Sequence, residues 1–357
     1  MKLLDRYILK QFLGAFVFTV FIIVAVIVVI HYSDNADDFA EANLSAKEVA
    51  GYYLDYIPWI ANYISPLTMF IATVFVTSKL AGRTEIIAIL SSGISFKRML
   101  VPYMTGAVVI AIGSLVLTGW VIPQSNKDRV AFEVKYLKSP YKFDKRNYHS
   151  QLAPDVYFYL TEYNNQEHKG QYFTLEKVRG TELVEKLTAQ QILWDAEKKK
   201  WSLSNWKLHH LEGYSEKIEK GIAMDTALAI HPSEFENDYK RYDAMTIPEL
   251  EAHITKLHIR GATNVAEYEI EKYIRFTSPF AMLILTFLGV IVSSRKHRGG
   301  VGFQLALGFF LAFFYIVVFT FTKTIAQVDG FDPAFMVWIP NLIFAGVSVL
   351  MYRVLSR

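Results

Sequence analysis

Hydrophobic positions in this chain gather into six windows that contain no Asp, Glu, Lys, Arg or His: Phe12–Ile30, Ile57–Ser78, Met99–Ile122, Phe276–Val292, Val301–Thr322 and Ala334–Tyr352. The windows run from about 17 to about 24 residues, and a helix crossing ~30 Å of hydrocarbon needs about 20. Six transmembrane spans are predicted, in two groups of three, and a single soluble globule is excluded. Over all 357 residues the chain is only 52% hydrophobic and 20% charged, a middling average that blends apolar spans with a polar insertion.

That insertion, about 150 residues long, separates the third span from the fourth, so the chain divides as 1–122, 123–275 and 276–357. Its first part, to about Tyr148, is polar and predicts helix. The period then changes to two. Val156–Leu160, Tyr172–Val178, Gln190–Trp194 and Trp201–Leu208 read as strands, with Asp195–Lys200 as a hairpin turn. Trp201, Leu203 and Trp206 do not share a face by strict alternation, which calls for a bulge or burial on both sides. Short strands at this spacing predict a sandwich or β-jellyroll core over about 150–240. Thr246-Ile-Pro-Glu249 is a capping box that opens a helix to about His258, stopped by Gly261; a second helix, Asn264–Arg275, runs into the fourth span.

Charge then sets orientation. Lys2, Arg6 and Lys10, then Lys79, Arg83, Lys97 and Arg98, then Arg295-Lys296-His297-Arg298, and finally Arg353 and Arg357 all fall on one side. Residues 31–56 on the other side hold six acidic residues against Lys47. The positive-inside rule places both termini in the cytoplasm and the insertion outside. The apolar run after Lys10 exceeds the 7–15 or so residues of a signal-peptide core, so the first span is expected to be retained.

Several kinds of chemistry are missing. No cysteine is present, which removes disulfides, thiolate catalysis and Cys-based metal sites. No Walker A loop, H-E-x-x-H or dinucleotide fingerprint occurs, and Gly299-Gly-Val-Gly302 reads as a helix start. Ser139-Pro-Tyr-Lys142 and Ser33-Asp-Asn35 imitate penicillin-binding motifs, but in reversed order and without K-T-G. Neither a catalytic residue nor a metal or cofactor is expected in this chain, and nothing points to nucleic acid. If ATP and Mg drive it, another chain binds them. The spans hold only mild polar groups, such as Asn62, Ser65, Gln304 and Asn341. These read as interhelical hydrogen bonds rather than an ion path.

Three places remain as candidates. His31 and Lys323 sit at outer span ends, as solvated residues or as contacts to the polar head of an amphiphile. Span five carries Phe303, Phe309, Phe310, Phe313, Phe314, Tyr315, Phe319 and Phe321. Such a surface packs on lipid and neighbouring helices, or forms a wall for acyl chains. The link between spans two and three, about 80–93, reads as a short amphipathic helix capped by Gly93. Ile86, Ile87 and Leu90 share one face, with Arg83 and Glu85 elsewhere. It either lies on lipid or takes force from a cytoplasmic partner.

This link, Arg83-Thr-Glu85 followed by Leu90-Ser-Ser-Gly93-Ile-Ser95, together with Leu4-Asp-Arg-Tyr-Ile8, Trp120-Val-Ile-Pro-Gln124 and the order of elements, resembles the LptF/LptG permease family. Leu4–Ile8 and Trp120–Gln124 look closer to LptG. The resemblance implies six helices with a periplasmic β-jellyroll in the bacterial inner membrane. It implies a second LptF/LptG-type permease as partner, seated on an LptB-type ATPase dimer. Lipopolysaccharide would enter between helices 1 and 5 of the two permeases and pass to LptC/LptA-type jellyroll proteins. By motif, Glu85 would meet a basic group on the ATPase, with Arg83, Ile86, Leu90 and Gly93 completing the coupling helix. Phe310, Phe314, Tyr315 and, further along, Phe321 would fall in the cavity-lining span. The family's LptG-type lysines at the outer end of helix 1 are replaced here by His31–Asp38, an acidic stretch, which leaves Lys47, Lys323 or the partner to meet lipid phosphates. An ATP-driven exporter subunit is expected; the rivals are a membrane-anchored docking scaffold and a secondary transporter.

Overall fold

A computed structural model describes residues 3–355 apart from 138–142, 144–145, 214, 229, 236–238, 263, 296–299 and 329. The Ser139–Lys142 stretch, most of the basic link after span four and the extreme termini lie outside the described residues. Among the described residues, six helices are long and apolar enough to cross a membrane.

The first span is the middle of a long helix, α1 (Leu3–Asp34), followed by a short α2 (Ala36–Glu41). The second apolar window is two helices rather than one: α3 (Ala46–Tyr63) and α4 (Ser65–Gly82) meet at Ile64. Pro66 lies in the first turn of α4, where a missing N–H costs nothing. Helix α3 starts well before the apolar window, because Ser45 and Glu48 form a reciprocal capping box that fixes its N-terminus. After the short α5 (Glu85–Ser91), α6 (Phe96–Val116) continues through a π turn at Leu117–Val121 into α7 (Ile122–Phe132) and a second π turn at Glu133–Leu137. The helical part of the insertion therefore ends at Leu137, and Tyr148 opens a strand instead of closing a helix. Helix α8 (Ile247–Ile259) precedes the spans α9 (Val265–Ser293), α10 (Gly300–Ile325) and α11 (Pro333–Leu355).

Helix α4 is the hub of the helical unit. Its Met69 packs with Phe12, Tyr103 and Met282, while Phe70 and Val74 pack with Leu285, Leu288 and Phe344. Close approach of the helices is bought by small residues. A Cβ on Gly106 would lie 2.9 Å from Leu9 and Phe12, and one on Gly308 2.8 Å from Val74. The buried hydroxyls of α4 are satisfied, Thr73 and Ser78 by carbonyls of their own helix, Met69 at 2.7 Å and Val74 at 2.6 Å, and Thr77 by the Tyr103 hydroxyl of α6 at 3.1 Å.

The strands form one antiparallel sheet: β1 (Tyr148–Ala153), β2 (Val156–Leu160), β3 (Glu162–Asn164), β4 (Lys169–Arg179), β5 (Glu182–Asp195), β6 (Lys200–Glu212) and β7 (Ser215–Thr226). Their order is β1-β2-β4-β5-β6-β7, with β3 paired to β4, so hydrogen bonds join all seven rather than two separate sheets. The hairpin expected at Asp195–Lys200 is present, with Trp194 opposite Trp201. No register slip separates Trp201 and Leu203 from Trp206. Instead, Tyr172 and Asn205 both have φ of 50°. They mark the rung of β4, β5 and β6 where the inward set changes phase, from Trp201 and Leu203 to Trp206 and Leu208 on β6. Trp201 is buried, and its indole N–H donates to the Ile230 carbonyl at 2.8 Å.

Backbone contacts divide the chain into two compact units: residues 1–132, 242–250 and 266–357, and residues 133–241 with 251–265.

Candidate functional site

The link between α4 and α6 is tighter than its sequence implied. Residues 80–82 complete α4, and the chain turns at Thr84, whose φ of 62° is left-handed. Helix α5 spans only Glu85–Ser91 and is closed at Gly93 (φ 86°), a conformation suited to glycine. Ile86, Ile87 and Leu90 do not act as one face. Ile86 is 2% exposed and packs into the core with Ile8, Leu80 and Met99, while Ile87 (53%) and Leu90 (39%) point outward. A seven-residue helix cannot bury all three, because its bundle side is filled by the first isoleucine. Glu85 accepts a hydrogen bond from the Tyr7 hydroxyl at 2.8 Å and stands 3.9 Å from Arg83. A second tie lies alongside: Arg98, in the first turn of α6, meets the buried Asp5 of α1 at 2.6 Å. The outward surface of α5 thus offers Ile87 and Leu90, with the exposed Arg83 in the turn before it, and the inward surface is fastened to α1.

Helix α10 presents one aromatic face outward. Phe310, Phe314 and Phe321 are all exposed and fall within about 40° of one another at ~100° per residue. Tyr315 lies about 100° from Phe314 and does not join them. It packs edge-on against Phe344 and donates a hydrogen bond to Asn341 at 3.3 Å. The buried stripe Gln304, Gly308, Ala312 and Thr322, spaced by helical turns, explains why: small or hydrogen-bonded residues face the bundle and phenylalanines face out. Lys323 sits half-buried in the last turn.

Helix α1 is held at its foot and open along its middle. Between it, the α3–α4 junction and α6 lies a groove of about 700 Å³, walled by Val17, Phe21, Val24 and Val28, with Asn62 and Ser65 supplying the polar spots. Asn62 donates to Thr118 and Ser65 to the Ala61 carbonyl, so these polar groups are satisfied within the protein. Along the outer face of α1 a second, open trough of about 830 Å³ is apolar from Leu9 to Phe21 and headed by Arg6 and Lys10.

His31 is not available at the end of α1. Its ring nitrogens lie 3.1 Å from the Tyr53 hydroxyl and 3.4 Å from that of Tyr52, and the Tyr56 ring is 4.6 Å away. It fastens α1 to α3. Two buried arginines that the sequence did not single out fix the 241–246 turn. Arg129 bonds Asp243 at 2.8 Å and Asn126 at 2.9 Å, with its guanidinium 4.2 Å from the Trp59 ring. Arg275 donates to the carbonyls of Met245 and Tyr242 at 2.6 and 2.8 Å. The following helix is capped as expected: the Thr246 N–H and hydroxyl both reach Glu249 at 2.8 Å, which holds its carboxyl below the ordinary range. Among the described residues no cluster of side chains has the makings of a metal site.

Six apolar spans in two groups of three, a seven-stranded sheet between the groups and a short charged helix between the second and third spans define a multi-pass membrane protein with an inserted β domain. Over residues 6–354 the chain matches the family described as "Lipopolysaccharide export system permease LptF/LptG", and it belongs to that family. It is also 20% identical to the lipopolysaccharide export system permease protein LptG of Haemophilus influenzae, over 99% of this chain and 98% of that protein.

Proposed function

We propose that this chain is a permease subunit of an ATP-driven exporter that lifts lipopolysaccharide out of the inner membrane and passes it to a periplasmic bridge. Both termini and α5 lie in the cytoplasm in this reading, and the sheet domain lies in the periplasm. The observation that carries it is α5. A short helix opened by Glu85 is held between two spans by left-handed turns, keeping one isoleucine inward and Ile87 and Leu90 exposed to a partner, with the Arg83–Glu85 ion pair beside them. An LptB-type ATPase dimer is that partner, and it supplies the ATP and Mg chemistry. The outward phenylalanines of α10 and the open side of α1 suit acyl chains and a second LptF/LptG-type permease, because large apolar surface in a span is cheap only against hydrocarbon or protein. The N-terminal and Trp120–Gln124 segments and the name of the H. influenzae relative favour the LptG side of the pair.

The test is purification of the chain in mild detergent from its native membrane, with identification of bound proteins and lipids. An ABC-type ATPase, a second permease and lipopolysaccharide are expected. Recovery of the chain with periplasmic proteins and no ATPase would support the docking-scaffold rival instead.

A further inference from the structure

We infer that Asp5 and Tyr7 are positioning residues which make α1 a driven element, so that displacement of α5 is delivered to α1 as well as to α4 and α6. The inference rests on the ATP-driven reading above. The short helix is joined to its neighbouring spans through Thr84 (φ 62°) and Gly93 (φ 86°), two left-handed joints where helix continuity is broken. Such breaks transmit movement poorly along the chain, because neither side is held by the helical hydrogen-bond ladder. Two sideways ties run directly from α1 to the link. Tyr7 donates to Glu85 at 2.8 Å, at the N-terminal end of α5. Asp5 meets Arg98 at 2.6 Å, just beyond the C-terminal joint, and Asp5 is buried there. Between the two polar ties, Ile86 packs in the same buried cluster as Ile8, with Leu4 and Leu9 packed on it. The first turns of α1 therefore hold this link on both sides of α5.

The rest of α1 is built to follow. Its buried residues are Asp5, Ile8, Phe12 and Val24, three of the four in the first ten positions of the helix. Above them it borders the groove of about 700 Å³, and its outer face from Arg6 to Phe21 is open. A rod gripped at its foot, open along its middle and pinned to α3 by His31 at its far end pivots about that far end when the grip moves. In this account Glu85 faces two ways: one carboxylate oxygen is held by Tyr7, and the other is left toward Arg83 and the partner side.

The experiment uses the full chain in its complex, reconstituted in liposomes, and reads lipid released per ATP hydrolysed together with ATPase rate and melting temperature. Tyr7→Phe removes one hydroxyl and keeps the ring. It is expected to lower lipid per ATP at least threefold while ATPase rate and melting temperature stay unchanged. Asp5→Arg is expected to lower lipid per ATP too, together with the melting temperature, because two guanidiniums then meet where a buried ion pair stood, and Arg98→Asp in the same chain is expected to restore both. A Tyr7→Phe complex that releases as much lipid per ATP as the unsubstituted one overturns the inference. So does a Tyr7→Phe loss of transport that merely tracks a lower melting temperature, or an Asp5→Arg/Arg98→Asp chain that regains its melting temperature without regaining lipid per ATP, since either marks a structural tie. If the unsubstituted complex holds no ATPase, the ATP-driven reading falls first and takes the inference with it, and that result is visible before any variant is made.

Discussion

Replacing Arg129 by methionine tests how the 241–246 turn is held. The guanidinium is fully buried, and its carboxylate partner Asp243 is nearly so, with a side chain 8% exposed. Methionine fills a similar volume and still packs on Trp59, so the change removes charge and hydrogen bonds while leaving little cavity. Asp243 then loses its ion-pair partner while staying buried, and Asn126 still binds its backbone carbonyl at 2.9 Å. Removing one partner of a buried ion pair costs about 3–5 kcal/mol. At about 1.4 kcal/mol per factor of ten, the turn should open roughly a hundred- to several-thousand-fold more often. The amide of Leu250 reports this directly, since it donates to the Thr246 carbonyl at 2.8 Å in the first turn of α8. Hydrogen exchange at that amide is the assay. Adding Asp243→Leu to Arg129→Met removes both halves of the pair and should bring exchange back to within about tenfold of the unsubstituted chain, because a buried pair replaced as a pair is close to neutral. A single variant that exchanges within tenfold of the parent, or a double variant no better than the single, would refute the reasoning.

Two further outcomes follow from the same geometry. Glu249 binds the Thr246 N–H and hydroxyl, and its folded pKa is lowered. The cap therefore contributes fully above the ordinary glutamate value of about 4.3 and is lost as pH falls through the lower folded value. Protection of the Leu250 amide, taken against its intrinsic exchange rate at each pH, should fall in that acidic window, and Glu249→Gln should flatten that dependence; a protection profile unchanged by the substitution contradicts the cap. On α10, photo-crosslinkers at Phe310 and Phe314 should label lipid or a second permease, and one at Tyr315 should label α11 of its own chain. Tyr315→Phe should cost only about 0.6 kcal/mol, the usual value for one hydrogen bond between spans. Lipid labelling from Tyr315 would show that the two faces of α10 are assigned the wrong way round.

What could be read from residues alone depended on whether the relevant partner was near in sequence. Charge-free windows announce spans because hydrocarbon acts on every residue of a window at once, whatever it packs against. The Thr246–Glu249 cap was legible for a similar reason, since both halves lie within one turn. Ser45 and Glu48 carry the same signature, which places the start of α3 well before its apolar stretch and was legible by the same rule. The inward phase of α10 was also written locally, in the spacing of Gln304, Gly308 and Ala312, and would have separated Tyr315 from the phenylalanines. By contrast, Tyr7 and Glu85 stand 78 residues apart, Asp5 and Arg98 stand 93 apart, and Arg129 and Asp243 stand 114 apart. No local spacing connects such pairs. Tyr7 and Asp5 fell inside the Leu4–Ile8 segment that carried the family likeness, yet nothing in that segment says what they hold. The same limit explains His31: from sequence it is a lone polar group at a span end, and only the packing of α3 brings Tyr52, Tyr53 and Tyr56 around it. The polar side chains that tie one span to another are therefore where a membrane protein of this kind is least readable and most open to test. Each of them is energetically expensive in a span unless its distant partner is in place.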